Sequence, residues 1–171
     1  MDFSNVTSDP HLTGELVDFK TKSSIGVQLF KDKILITDRK RSKSNSVRTL
    51  LTNDISGCLL SKLKNEEIRA YLTIYTYEIK KNEKRRREEL VLEFANFGTH
   101  RENFEMAQKW KKEIKQILQL SEKSEERPYI VFVNPMSGAG KAKNIFYERT
   151  LTVFGEANVS HVLVLTSEKL F

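Results

Sequence analysis

Residues 99–118 read THRENFEMAQKWKKEIKQIL, and their period decides the first part of the fold. Phe104, Ala107, Trp110, Ile114, Ile117 and Leu118 recur at helical spacing and make one apolar stripe, with Lys and Glu on the other faces. Thr99 and Glu102 have the S/T-x-x-E spacing of a capping box, so the helix is expected to open there. Upstream the period changes to that of strands. AYLTIYTYEI, residues 70–79, alternates Tyr71, Thr73, Tyr75 and Tyr77 with Leu72, Ile74 and Thr76, the β-branched and aromatic mix of a pleated surface. The polar stretch KKNEKRRREE follows as a turn, and ELVLEFAN returns as a strand with Leu90, Leu92 and Phe94 on one face. Further back, GELVDF, IGVQLF and KILITD are short β-type segments separated by the turn-like TKSS and KDK. DRKRSKSNS, residues 38–46, reads as an exposed loop before VRTLLT and NDISGCLLSKL. Residues 1–12 read as a polar leader.

A set of short antiparallel strands closed by one Trp-bearing helix resembles a pleckstrin-homology-like domain, in which a C-terminal helix plugs one end of a bent β-sandwich. That domain is expected over residues 13–120. On this reading Trp110 is a core plug. Cys58, flanked by Leu59 and Leu60, is a buried small residue rather than a reactive thiol. The tyrosine row is a half-exposed sheet face, with no RNP-type sequence beside it to suggest nucleic acid.

SEKSEER, residues 121–127, is a polar linker, and Pro128 starts a second unit. YIVFV is a continuous apolar run of the kind buried on both faces in a parallel sheet. It ends on NPMSGAGK, Asn134 to Lys141. Pro135 fixes its φ and stops ladder pairing, while Gly138 and Gly140 permit positive φ and keep side chains away from a bulky anion. Ser137 offers a hydroxyl and Lys141 a cation at the start of the expected helix KAKNIFYERTLTVF, which Gly155 is placed to end. HVLVLT, residues 161–166, is a second apolar strand, completing β-α-β. The turn is neither a P-loop, since Ala142 stands where the Mg²⁺-holding hydroxyl would be, nor G-x-G-x-x-G, since Asn144 lies three residues past Gly140.

A strand running into N-P-x-S/G-G-x-G-K resembles the opening of the diacylglycerol-kinase catalytic family, and within it the sphingosine kinases. The likeness covers residues 129–166. NDISGCLLSKL and the AYLTIYTYEI-to-Trp stretch are similar to the N-terminal region of longer members. The resemblance implies an α+β chain: a pleckstrin-homology-like sandwich, then at 128–171 the incomplete β-α-β start of a doubly wound kinase domain. It implies a lipid kinase that uses ATP and Mg²⁺ to phosphorylate a sphingoid base. Asn134, Pro135 and Met136 would line the nucleotide site. Ser137, Gly138, Gly140 and Lys141 would form the turn beneath the phosphates, and Thr166 would lie at the second loop. The family's S-G-D-G segment, whose aspartate acts on the lipid hydroxyl, is not in this sequence, so no catalytic residue is assigned and this chain alone is expected to be inactive. Three alternatives stay open: a ceramide-kinase-like enzyme, a non-catalytic membrane- or protein-binding module, and an unrelated nucleotide-binding protein with a similar turn.

Composition narrows the surroundings. Residues 128–171 carry a net charge of +1, so most of the chain's +6 lies in residues 1–127. An anionic membrane is one candidate partner there, through Arg39, Lys40, Arg41, Lys84, Arg85, Arg86 and Arg87; the other reading is a solvated hairpin tip, its charge diluted by Glu83, Glu88 and Glu89. No nucleic-acid partner is expected. One cysteine excludes an internal disulfide and suggests reducing surroundings, and three scattered histidines show no metal-ligand spacing. With neither a signal-peptide pattern nor a run of about 18 apolar residues, a cytoplasmic protein is expected, peripheral at intracellular membranes or the plasma membrane.

Overall fold

The computed structural model describes residues 9–38, 46–61, 68–80, 83–119 and 128–166. The chain is α+β and divides into two compact units, Met1–Gln119 and Leu120–Phe171.

In the first unit the strands are β1 (Leu12–Asp18), β2 (Ser24–Leu29), β3 (Lys33–Asp38), β4 (Ser46–Leu51), β5 (Ile55–Ser61), β6 (Ala70–Ile79) and β7 (Arg85–Phe94). All neighbours are antiparallel, in the order β4-β3-β2-β1-β7-β6-β5. Two meanders are thus joined where β7 returns beside β1, through only the pairs Val17↔Glu93 and Asp18↔Leu92. Alternation sets the inner face: Ile25, Val27 and Leu29 of β2, Ile34 and Ile36 of β3, and Leu90, Leu92 and Phe94 of β7 are all buried. In β6, Leu72, Ile74 and Thr76 are buried as the alternation predicts. The opposite face departs from expectation at Tyr71, which is buried where a half-exposed ring was predicted. The Phe19 ring meets it edge-on at 5.5 Å, and Glu93 lies opposite it in register.

Helix α1 (His100–Ile117) begins as the capping box requires. The Thr99 hydroxyl accepts from the Glu102 amide at 3.3 Å, and the Glu102 carboxylate accepts from the Thr99 amide at 3.1 Å. Ala107, Trp110 and Ile114 are buried against β5, β6 and β7. The indole also reaches β1. A Cβ on Gly14 would stand 3.1 Å from Trp110 Cζ2, closer than ordinary contact, so glycine there is what lets the ring seat.

The buried face of α1 carries one polar residue, Asn103. Its Nδ2 donates to the carbonyls of Ile68, Phe97 and Thr99 at 2.8, 3.0 and 3.1 Å, and its Oδ1 accepts from the Phe97 amide at 3.2 Å. One side chain thereby ties the helix start to the segment leaving β7 and the segment entering β6. Glu93 is the buried acid of the sheet, and it is met by Lys22 at 3.3 Å and Arg69 at 2.9 Å.

Cys58 is buried on β5, as expected, with its Sγ 3.8 Å from the Lys111 carbonyl. Burial pushes its thiol from 9.0 up to about 11, against the opposing pull of Lys111 and Lys115. The unfolded thiol therefore loses its proton first. The stabilising contribution is complete below pH 9 and is lost as pH rises from 9 to about 11. Across that window the urea midpoint of the native chain should fall more steeply than that of Cys58→Ala. Parallel curves would contradict this assignment.

In the second unit β8 (Tyr129–Val133) and β9 (His161–Leu165) pair in parallel, Tyr129↔His161 through Val133↔Leu165. Between them run α2, the short turn Ser137–Gly140, then α3 (Ala142–Ile145), a π-turn at Phe146–Thr150, and α4 (Leu151–Ala157). Phe146 is buried and anchors this layer on β9, its ring 6.0 Å from that of His161 and 6.4 Å from that of Phe154. Two expectations are corrected. The helix does not end at Gly155 but runs to Ala157. Asn158 at φ 54° ends it, with its amide bonded to Gly155 O at 3.2 Å and that of Val159 to Phe154 O at 2.8 Å, a Schellman arrangement. Nor is β8 buried on both faces. Ile130 and Phe132 are 62 % and 68 % exposed, because among the described residues only β9 pairs with it and the helical layer covers one side.

Candidate functional site

The turn after β8 has a local cause at each residue. Asn134 Oδ1 accepts from the Met136 amide at 3.0 Å, and the Asn134 carbonyl accepts from the Ser137 amide at 3.1 Å. Asn at the first position, Pro135 at the second and Met136 at φ −84°, ψ −11° are the residues and angles of a type I turn. The chain then passes through three left-handed residues in succession, Gly138 at φ 61°, Ala139 at 56° and Gly140 at 75°. A Cβ on either glycine would meet nothing within 4 Å, so the glycines answer to the backbone angle and not to crowding. Ala139 has no such freedom, and its left-handed angles cost roughly 1–2 kcal/mol. The Lys141 amide bonds to Gly138 O at 3.2 Å, and the Lys141 carbonyl accepts from Ile145 at 2.9 Å, which opens the helix behind the turn.

This conformation leaves donors outward. Among the described residues, the amides of Gly138 and Ala139 give no hydrogen bond, Lys141 makes no ion pair, and residues 136–141 are exposed. The second loop leaves from the same edge: the Thr166 amide donates to Val133 O at 3.0 Å, which places Thr166 beside the strand end where Asn134 begins the turn. The structure thus brings the eight candidate residues, Asn134 to Ser137, Gly138, Gly140, Lys141 and Thr166, to the carboxyl ends of β8 and β9. That end of a parallel sheet is where open α/β folds take ligands. Two free amides, a hydroxyl and an ammonium fit the oxygens of a phosphate chain. They do not fit a protein-held divalent cation, since the turn has no carboxylate and Asn134 Oδ1 is already engaged. No group of three metal-ligating side chains occurs among the described residues.

The basic hairpin differs from its sequence. Arg85 bonds Asp54 at 2.9 Å and the Tyr77 carbonyl at 2.7 Å, and Arg87 bonds Glu89 at 2.7 Å. Arg48, from across the sheet at β4, meets Glu78 at 2.6 Å and Glu88 at 3.0 Å, and Lys80 meets the same two carboxylates at 3.0 and 2.9 Å. Hydrogen bonding from Lys80 holds Glu88 below the usual carboxylate range, despite some burial. Burial opposes the same shift at Glu78, and the bonds to Arg48 and Lys80 outweigh it. Lys84 and Arg86 are exposed; Arg39, Lys40 and Arg41 lie outside the described residues. No helix among the described residues is long and apolar enough to cross a membrane.

No protein-family model and no curated protein sequence matches this chain.

Proposed function

We propose that the second unit is the nucleotide-gripping start of a lipid kinase of the sphingosine-kinase type, with ATP as phosphoryl donor and a sphingoid base as acceptor. The observation that carries this reading is the left-handed run at Gly138–Ala139–Gly140, which frees two amides beside Lys141 and Thr166 at the carboxyl edge of a parallel strand pair. The amides and the ammonium would hold the phosphate oxygens, and the exposed Met136 would flank the rest of the nucleotide. Mg²⁺ would arrive on the nucleotide's own phosphates, where it would neutralise their charge. In this reading the first unit is a pleckstrin-homology-like module. The antiparallel order of its strands and the seating of Trp110 over Gly14 support that label.

Binding of a fluorescent ATP analogue to the full chain tests the assignment. Removing one charge-assisted contact, Lys141→Gln, should weaken binding about tenfold or more. Gly138→Val forces a β-branched residue to positive φ and should abolish binding. Unchanged affinity in both variants would refute it.

A second reading, a non-catalytic binding module, draws on the first unit alone. It is favoured by a cationic surface that the hairpin does not provide.

A further inference from the structure

Among the described residues, the exposed side of α1 gathers the longest run of lysines in the first unit. Lys109, Lys111, Lys112 and Lys115 follow one another within its second half, with Glu113 as the one acid among them. None of the four makes an ion pair among the described residues, whereas Lys22, Arg48, Arg69, Lys80, Arg85, Arg87 and Arg101 all do. Lys111 and Lys115 stand four residues apart, where like charges repel, and each is half-buried. β5, the edge strand beneath this end of the helix, is ISGCLLS and carries no acid. The pull of these two lysines on the buried Cys58 thiol reflects the same one-signed field.

We infer that the lysine face of α1 is a docking surface for an anionic lipid bilayer. Charge complementarity asks for a polyanionic occupant, and the composition of the face selects among them. Protein interfaces are anchored by Trp, Tyr or Arg and are poor in Lys. Between residues 108 and 116 the outer side holds only Gln108, Gln116, Glu113 and the lysines, without an apolar or aromatic anchor. The aromatic pair of this helix, His100 stacked on Phe104, lies at its other end. Compact ammonium heads on long stems suit a diffuse array of headgroup charges. This surface lies apart from the basic hairpin, where Arg85 and Arg87 are already paired, and the inference does not depend on the nucleotide reading.

Co-sedimentation of the full chain with phosphatidylcholine vesicles, with and without phosphatidylserine, tests it. Binding should require phosphatidylserine and weaken with salt. Each lysine near such a surface is worth ~1 kcal/mol, about fivefold, so replacing all four by Gln should cost a few hundredfold. Lys109→Gln with Lys112→Gln alters only the two exposed lysines of the four and should cost roughly 25-fold even if the fourfold variant fails to fold. Arg85→Gln with Arg87→Gln should change little. Retained binding in the double lysine variant, binding that ignores phosphatidylserine, no vesicle binding, or preferential binding of polyglutamate or single-stranded DNA would each overturn the inference.

Discussion

Trp110→Ala should destabilise the first unit by about 3–5 kcal/mol, the range for deleting a buried aromatic side chain. Trp110 is 2 % exposed, sits 6.5 Å edge-on from the Phe94 ring, and reaches across the sheet junction to Gly14. That junction is where β1 and β7 share only two paired positions, so backbone bonding there is thin and packing has to substitute. The space left by the indole is bordered by strands on both sides, which limits how far the site can collapse. Typical domain stability is ~5–15 kcal/mol, so the loss is a large fraction of it. The melting temperature of this unit should drop by roughly 15 °C or more. Trp110→Phe should recover part of the loss. A drop of a degree or two in the alanine variant would mean that the helix is not the plug of this sheet.

Asn103→Ala should cost about 2–4 kcal/mol, because it strands the Phe97 amide and removes the donor shared by three carbonyls. The informative companion is Asn103→Asp. It keeps the size and the acceptor from Phe97, but turns an oxygen toward the carbonyls of Ile68, Phe97 and Thr99. Repulsion among those oxygens should make it worse than alanine, though aspartate is the closer match in shape. Urea denaturation of the two variants decides the matter. If aspartate is the milder change, Asn103 fills space and its hydrogen bonds are incidental.

These two residues also mark what the sequence disclosed and what it hid. The helix was legible because three signals agree: a capping box, a stripe of period 3.6 and Trp110 within the stripe. Asn103 was not, because a polar residue beside an apolar stripe reads as surface until its partners from distant segments are known. Glu93 was hidden for the same reason. Alternation puts it opposite Leu92 and Phe94, on what reads as the wet face, yet Lys22, Arg69 and Tyr71 gather over it from elsewhere in the chain. Gly155 misled because glycine is tolerated inside a helix, and the left-handed terminator here is Asn158. At the turn, the glycines and Asn134-Pro135 gave the strand-to-helix connection correctly. The left-handed Ala139 was invisible, since alanine seldom adopts that region. The hairpin's charge was legible as a count and misleading as a field, because pairing across the sheet depends on which carboxylates the fold brings near.

In the proposed function the turn after β8 holds a triphosphate. Hydrogen exchange of the full chain with and without Mg²⁺–ATP reads it at the atoms concerned. The exposed amides of Gly138 and Ala139 should slow markedly when nucleotide is added, and Lys141→Gln should shift the protection to higher ATP concentration. If those amides exchange at the same rate up to millimolar nucleotide, or if protection appears only in other segments, the phosphate site is not there.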